Sequence, residues 1–196
     1  MNNFFTKVAL VTSIAALSFG AVAETVSFQA GVTVQNAFTL TNDSALDFGT
    51  IRASADLVAT ETATLVLAAN PATSPTTTST SIADAEIAIL VAGVPASFSV
   101  SGVSPFGSLT ITDPTETAIS PDAAPAGTAA FTLGNPTYYV LTGATPNSAA
   151  TTAIQVDANG EATFNVGAEL TTDATTPASD YIDGTYSGSF TLELNY

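Results

Sequence analysis

Asp183-Gly-Thr-Tyr-Ser-Gly-Ser-Phe-Thr-Leu-Glu-Leu-Asn-Tyr196 alternates almost without a fault. Even positions carry Tyr186, Phe190, Leu192, Leu194 and Tyr196, with Gly188 the one gap. Odd positions carry Thr185, Ser187, Ser189, Thr191, Glu193 and Asn195. Successive side chains of an extended strand point to opposite faces, so a period of two with one oily and one wet side predicts a half-buried β-strand over 185–196.

The same period runs through the rest of the chain. In Thr25 to Leu40, Val26, Phe28, Ala30, Val32 and Val34 share one face, and Phe38 and Leu40 resume it after Asn36. Short apolar or alternating runs follow at 46–51, 63–68, 86–92, 96–102, 107–112, 129–133, 137–142, 153–156 and 161–170. Asp157-Ala-Asn-Gly160 sits between the last two and reads as a hairpin turn, because Asn and Gly tolerate positive φ. About ten short strands with frequent turn signals predict an all-β sandwich. Residues 70–81 (Thr, Ser, Pro) and 113–127 (Pro, Ala, acids) are low in complexity and read as surface loops.

Met1 to Ala23 has the layout of a secretory signal peptide. Lys7 is the positive start, Val8 to Phe19 the apolar stretch, and Ala21-Val22-Ala23 the small-residue cleavage site. The apolar run is shorter than the ~20 residues a membrane-spanning helix needs. The expected mature chain begins at Glu24, and no later stretch is long and apolar enough for a spanning helix. It keeps one basic residue, Arg52, against seventeen acids, a formal charge of −16. Such a surface repels nucleic acid and anionic lipid.

There is no His, Cys or Trp, and no Lys after Lys7. That removes His- and Cys-based nucleophilic catalysis, Lys Schiff bases, and thiolate or imidazole metal sites. Carboxylate pairs could still serve a glycosidase, but no acid sits in an apolar context that would raise its pKa. The expectation is a protein without enzymatic activity, catalytic residues, metal or other cofactor. Asp180 and Asp183 beside Gly184 are the nearest approach to a calcium loop, and the pattern is incomplete. The expectation there is a polar turn.

Three blocks resemble a known family: Leu46-Asp-Phe-Gly-Thr-Ile51, Val94-Pro-Ala-Ser-Phe-Ser-Val-Ser-Gly102, and Phe164-Asn-Val-Gly-Ala-Glu-Leu170 ahead of the Gly184 to Tyr196 ending. In this order they resemble a widespread family of secreted bacterial proteins known only as a domain of unknown function. The ending is similar to that of spore-coat-U-like subunits and archaic chaperone–usher pilins. The chain departs from many of the former in having no cysteine. The pilin side of the resemblance implies an immunoglobulin-like sandwich that lacks one strand. A periplasmic chaperone holds the gap open, an outer-membrane usher assembles the subunits, and the N-terminal extension of the next copy fills the gap. Strand addition to an open sheet edge is the physical content of that scheme.

On this implication Val26, Phe28, Ala30, Val32 and Val34 are the candidate donor side chains. Tyr186, Phe190, Leu192, Leu194 and Tyr196 belong to the acceptor side. Residues 24–35 would then form the donor strand and residues 36–196 the single sandwich domain. The protein is expected to pass through the periplasm to the cell surface and to bind copies of itself. Two other readings stand beside it: a self-contained surface or matrix protein of adhesin type, with Val26 to Val34 as its own first strand, and an outer-membrane barrel. The barrel fits less well, since the strands are short and the aromatic girdles are missing.

Overall fold

The computed structural model describes residues 24–32, 37–79, 84–121 and 123–196. The chain falls into two units, Met1–Val34 and Gln35–Tyr196. The expected signal peptide and Val34 lie outside the described residues.

In the second unit the described chain is all strand, turn and loop, with no helix. Its strands are β1 Thr39–Ser44, β2 Asp47–Ser54, β3 Ala63–Leu67, β4 Thr76–Ser79 and β5 Glu86–Val94. Next come β6 Ala96–Ser101, β7 Ser108–Thr112, β8 Thr117–Pro121 and β9 Phe131–Thr142. The last are β10 Ser148–Ala150, β11 Ala153–Gln155, β12 Ala162–Thr171, β13 Tyr186–Ser187 and β14 Glu193–Asn195. A nine-stranded sheet runs β1-β6-β12-β9-β8-β13, with β3, β4 and β10 attached to it. Two smaller sheets are β11-β7-β14 and β2-β5.

One antiparallel ribbon changes sheet part-way along. β1 pairs with β6 up to Ser44↔Ser97, and β2 pairs with β5 from Asp47↔Val94. The break falls at Pro95, which has no N–H to give a ladder. Before the break the ribbon belongs to the large sheet, because β6 pairs with residues 162–166 of β12. Beyond it β3 takes the place on β12, over 168–171, and β2-β5 lies apart as its own sheet.

Two apolar cores follow from this division. In the first, Val100, Tyr138, Val140, Phe164 and Val166 of the large sheet pack with Leu109, Ile111, Ile154 and Leu194 of β7, β11 and β14. In the second, Leu65, Ile119, Phe131 and Leu170 pack with Ile87 of β5, and with the half-buried Phe48, Ile51 and Ala53 of β2. The large sheet thus has two smaller sheets against it, an arrangement consistent with a β-sandwich.

Four expectations need correction. The C-terminal stretch is not one strand: β13 pairs with β8, β14 pairs with β7, and the residues between join neither ladder. The alternation is nonetheless obeyed in burial, with every odd position from Thr185 to Asn195 exposed. Residues 24–32 carry no strand. The turn at Asp157 to Gly160 is formed, but it does not join a hairpin, since β11 pairs with β7 while β12 pairs with β3, β6 and β9. Finally, each low-complexity stretch holds a strand: β4 in the first, exposed throughout, and β8 in the second, which buries Ile119.

Gly188, the gap in the oily face, is explained from the opposite side. A Cβ there would stand 2.3 Å from Ile119 Cγ2, so Ile119 fills the position from β8. Gly188→Val should therefore destabilise by ~1–3 kcal/mol through overpacking. Denaturant titration of Gly188→Val, Ile119→Ala and the double variant checks this. The double variant should be more stable than the sum of the two single changes predicts.

Candidate functional site

Between β2 and the C-terminal segment lies a groove of about 940 Å³. Its floor is the apolar face of the large sheet, including Phe98, Ile119, Leu133, Val166 and Leu170. One wall is β2 with the residues just before it, from Leu46 to Ala53. The other runs from Ile182 to Phe190 and Leu192.

The first wall is built by the Leu-Asp-Phe-Gly block. The Asp47 carboxylate accepts a 2.8 Å hydrogen bond from the Gly49 N–H, which closes a local turn. Gly49 has φ +79°, and a Cβ on it would stand 2.2 Å from the Val91 carbonyl oxygen, so only glycine fits the pairing with β5. Phe48 packs into the second core, as do Ile51 and Ala53 beyond it. A register shift between Thr50 and Ile51 keeps Ile51 on that inner side.

The second wall rests on aromatic rings. Phe131 stacks on Tyr181 at 4.1 Å between centroids, and Tyr186 meets both rings edge-on at 5.2 and 5.9 Å. The Tyr186 hydroxyl accepts from the Ile182 N–H and donates to the Ile182 carbonyl. The Tyr181 hydroxyl accepts from the Asp173 N–H and donates to the Ala130 carbonyl. Burial pushes the Tyr181 phenol well above its ordinary range, so it stays protonated and keeps that donor.

The walls meet at one end. The Asp180 carboxylate accepts from the Ala55 N–H, just after β2, and from the Tyr181 N–H, just before the second wall. Asp180 of the calcium-like pattern thus serves as a clasp. At the other end Leu46 and Leu192 both pack on the first core. β2 therefore runs from the first core to the second, and Tyr186 to Leu192 runs back, so the walls are antiparallel across the gap.

The polar edges of the groove are open. Among the described residues β2 pairs only with β5, and 188–192 lie outside every ladder. Unpaired backbone beside an apolar floor is the situation a further strand relieves. Arg52 also lines the groove, with its guanidinium 3.3 Å from the exposed Glu86 carboxylate. An exposed pair of this kind contributes little to stability.

Of the acceptor residues named from sequence, Tyr186, Phe190 and Leu192 line the groove. Leu194 is instead buried in the first core, and Tyr196 sets its ring edge-on to Phe38 at 5.6 Å. Of the donor residues, Val26, Phe28 and Val32 are 86–87% exposed, and Ala30 is exposed as well. Sequence reasoning noticed the Leu-Asp-Phe-Gly block as a motif but did not see it as a wall. It also missed Phe131 and Tyr181.

A second polar cluster brings one oxygen each from Asp56, Glu61 and Asp84 within 4.8 Å of one another. Asp56 is already committed: its carboxylate accepts from the N–H groups of Ala59, Val58 and Glu61. The Ala59 and Val58 bonds hold its pKa below the usual carboxylate value. Its role is to order the turn after β2.

One protein family matches residues 38–196, so that both groove walls and the floor lie within the match. The chain belongs to the DUF4402 family, a domain of unknown function. Residues 24–37 precede the matched part of this DUF4402 protein. No curated protein and no solved structure matches the chain. Among the described residues no helix is long and apolar enough to cross a membrane.

Proposed function

We propose that this DUF4402 protein is an exported structural subunit of a fimbria or surface fibre, and that it polymerises by inserting its N-terminal segment into the groove of the next copy. The observation that carries the reading is the groove itself: an apolar floor between the free edge of β2 and the extended residues 188–192, which among the described residues have no ladder partner across the gap. The resemblance of the Gly184 to Tyr196 ending to spore-coat-U-like subunits and archaic pilins points the same way, as does the expected signal peptide.

The segment from Glu24 has the chemistry the groove lacks. Val26, Phe28, Ala30, Val32 and Val34 alternate with polar residues, so one face would meet the floor and the other would meet water. Nine residues from Val26 to Val34 span ~30 Å when extended. Each Val or Phe that leaves water would contribute about 1.5–3 kcal/mol. Since the walls are antiparallel, the incoming strand pairs parallel to one and antiparallel to the other.

Direct complementation tests this. A chain lacking 24–34 is mixed with a peptide of Thr25 to Val34, and binding is followed by calorimetry and thermal unfolding. The peptide should bind stoichiometrically and raise the Tm. The same peptide with Phe28→Asp should do neither. No binding by the unmodified peptide would sink donation and leave a self-contained surface protein.

A further inference from the structure

The charge of the chain is segregated, and the division coincides with the two parts that polymerisation would bring together. Residues 25–37 contain no charged side chain at all. Residues 38–196 hold sixteen acids against the single Arg52, a formal −15. The acids are spread over the domain: Asp43 on β1, Asp84 ahead of β5, Glu116 ahead of β8, Glu161 ahead of β12 and Glu193 on β14 are all exposed. The floor of the groove is apolar, and Arg52 lies at its wall.

We propose that the acidic body acts as an electrostatic brake on assembly: copies of this chain repel one another everywhere except through the uncharged segment and the groove. This rests on the reading of the groove as an acceptor for that segment, and it concerns how the same site is regulated. Two bodies of −15 must approach closely for one segment to reach the other's groove. Their repulsion is long-ranged in dilute salt and shrinks as the Debye length falls from ~30 Å at about 0.01 M to ~8 Å at about 0.15 M. Like-charged bodies associate slowly for the same reason that oppositely charged ones associate fast. The segment contributes no charge of its own between Thr25 and Ala37, so the contact of strand with groove carries little salt dependence of its own. Ionic strength therefore acts on the approach of the two acidic bodies and far less on that contact. The same repulsion also suppresses side-by-side contacts between fibres, where acidic faces would meet with no groove to compensate.

The experiment follows assembly by light scattering after full-length protein is diluted out of denaturant into buffers between those two salt concentrations. The rate should rise at least about ten-fold across the range. Salt also strengthens apolar burial, and a control separates that effect: binding of the neutral Thr25 to Val34 peptide to the chain lacking 24–34 should change by less than about two-fold over the same range. A variant with Asp84→Asn, Glu116→Gln and Glu161→Gln, none of which lines the groove, should assemble faster than the parent in low salt. In high salt the two should converge. Polymer that forms at a salt-independent rate overturns the brake and leaves strand donation standing. Rates that track the neutral peptide overturn it too. If peptide and protein alike fail to enter the groove in any salt, the donation reading falls and the brake falls with it.

Discussion

Full-length Phe28→Asp should be monomeric under conditions in which the parent forms oligomers that resist mild denaturant. Phe28 is the largest side chain on the alternating face of the N-terminal segment and is 87% exposed. Inserted in a neighbouring groove it would lie on an apolar floor. A carboxylate there would be stripped of water without a partner, a loss of several kcal/mol. The parent's inserted strand combines a backbone ladder with buried side chains, so its oligomers should be long-lived. The substitution leaves both cores of the domain untouched, so circular dichroism and the unfolding midpoint of the domain should not move. Size-exclusion chromatography and circular dichroism on this one variant separate the alternatives. A parent that is strictly monomeric at high concentration, together with an unfolded Phe28→Asp, would mean that the segment is the domain's own first strand.

Phe164→Ala should bring the largest loss of stability within the domain. Phe164 lies on β12, at the centre of the large sheet, is fully buried, and stacks on Phe98 at 5.5 Å. Cross-strand, it is paired with Phe98 of β6 and Val140 of β9. Truncation removes the transfer free energy of the ring and leaves a cavity that this rigid sheet cannot close, about 3–5 kcal/mol in all. In a domain of this size each kcal/mol lowers Tm by ~2–4 °C, so a fall of roughly 6–20 °C is expected. Thr163→Ala, one residue earlier and on the opposite face, should be far milder. Its hydroxyl meets that of Thr142 at the surface, and its loss should stay near ~0.5 kcal/mol. Thermal melts of the two variants decide the facing of β12. Equal losses would contradict it.

The errors in reading strands from sequence share one cause. β4 is all Thr and Ser and exposed, and it exists because β3 offers it a ladder. Composition carries no record of that partner. β8 sits among Pro and acidic residues and is fixed by β9 on one side and β13 on the other. β9 continues through Pro136, where the chain signals a stop. Asn135 takes φ +47° there, and a register shift against β12 absorbs the missing N–H. The C-terminal stretch failed in the opposite sense. Its alternation correctly forecast which side chains face inward, yet it is divided between β8 and β7 because the large sheet and the β7 sheet each claim one end. Alternation reports the facing of a segment, and ladder partners decide whether it is a strand.

Local order therefore belongs to the sequence. Period-two alternation named the all-β class and the inward residues of the last stretch. The small set of chemically active side chains follows directly from composition, as does the separation of an uncharged N-terminal segment from an acidic body. The groove could not be found that way. Its two walls, around Phe48 and around Tyr186, are more than a hundred residues apart, and the clasp joining them is a hydrogen bond from Ala55 to Asp180. Nothing in either segment specifies the other. They come to face each other because Pro95 sends the β2-β5 ribbon away from the large sheet while β14 stays on β7, and among the described residues no strand covers the apolar floor between them.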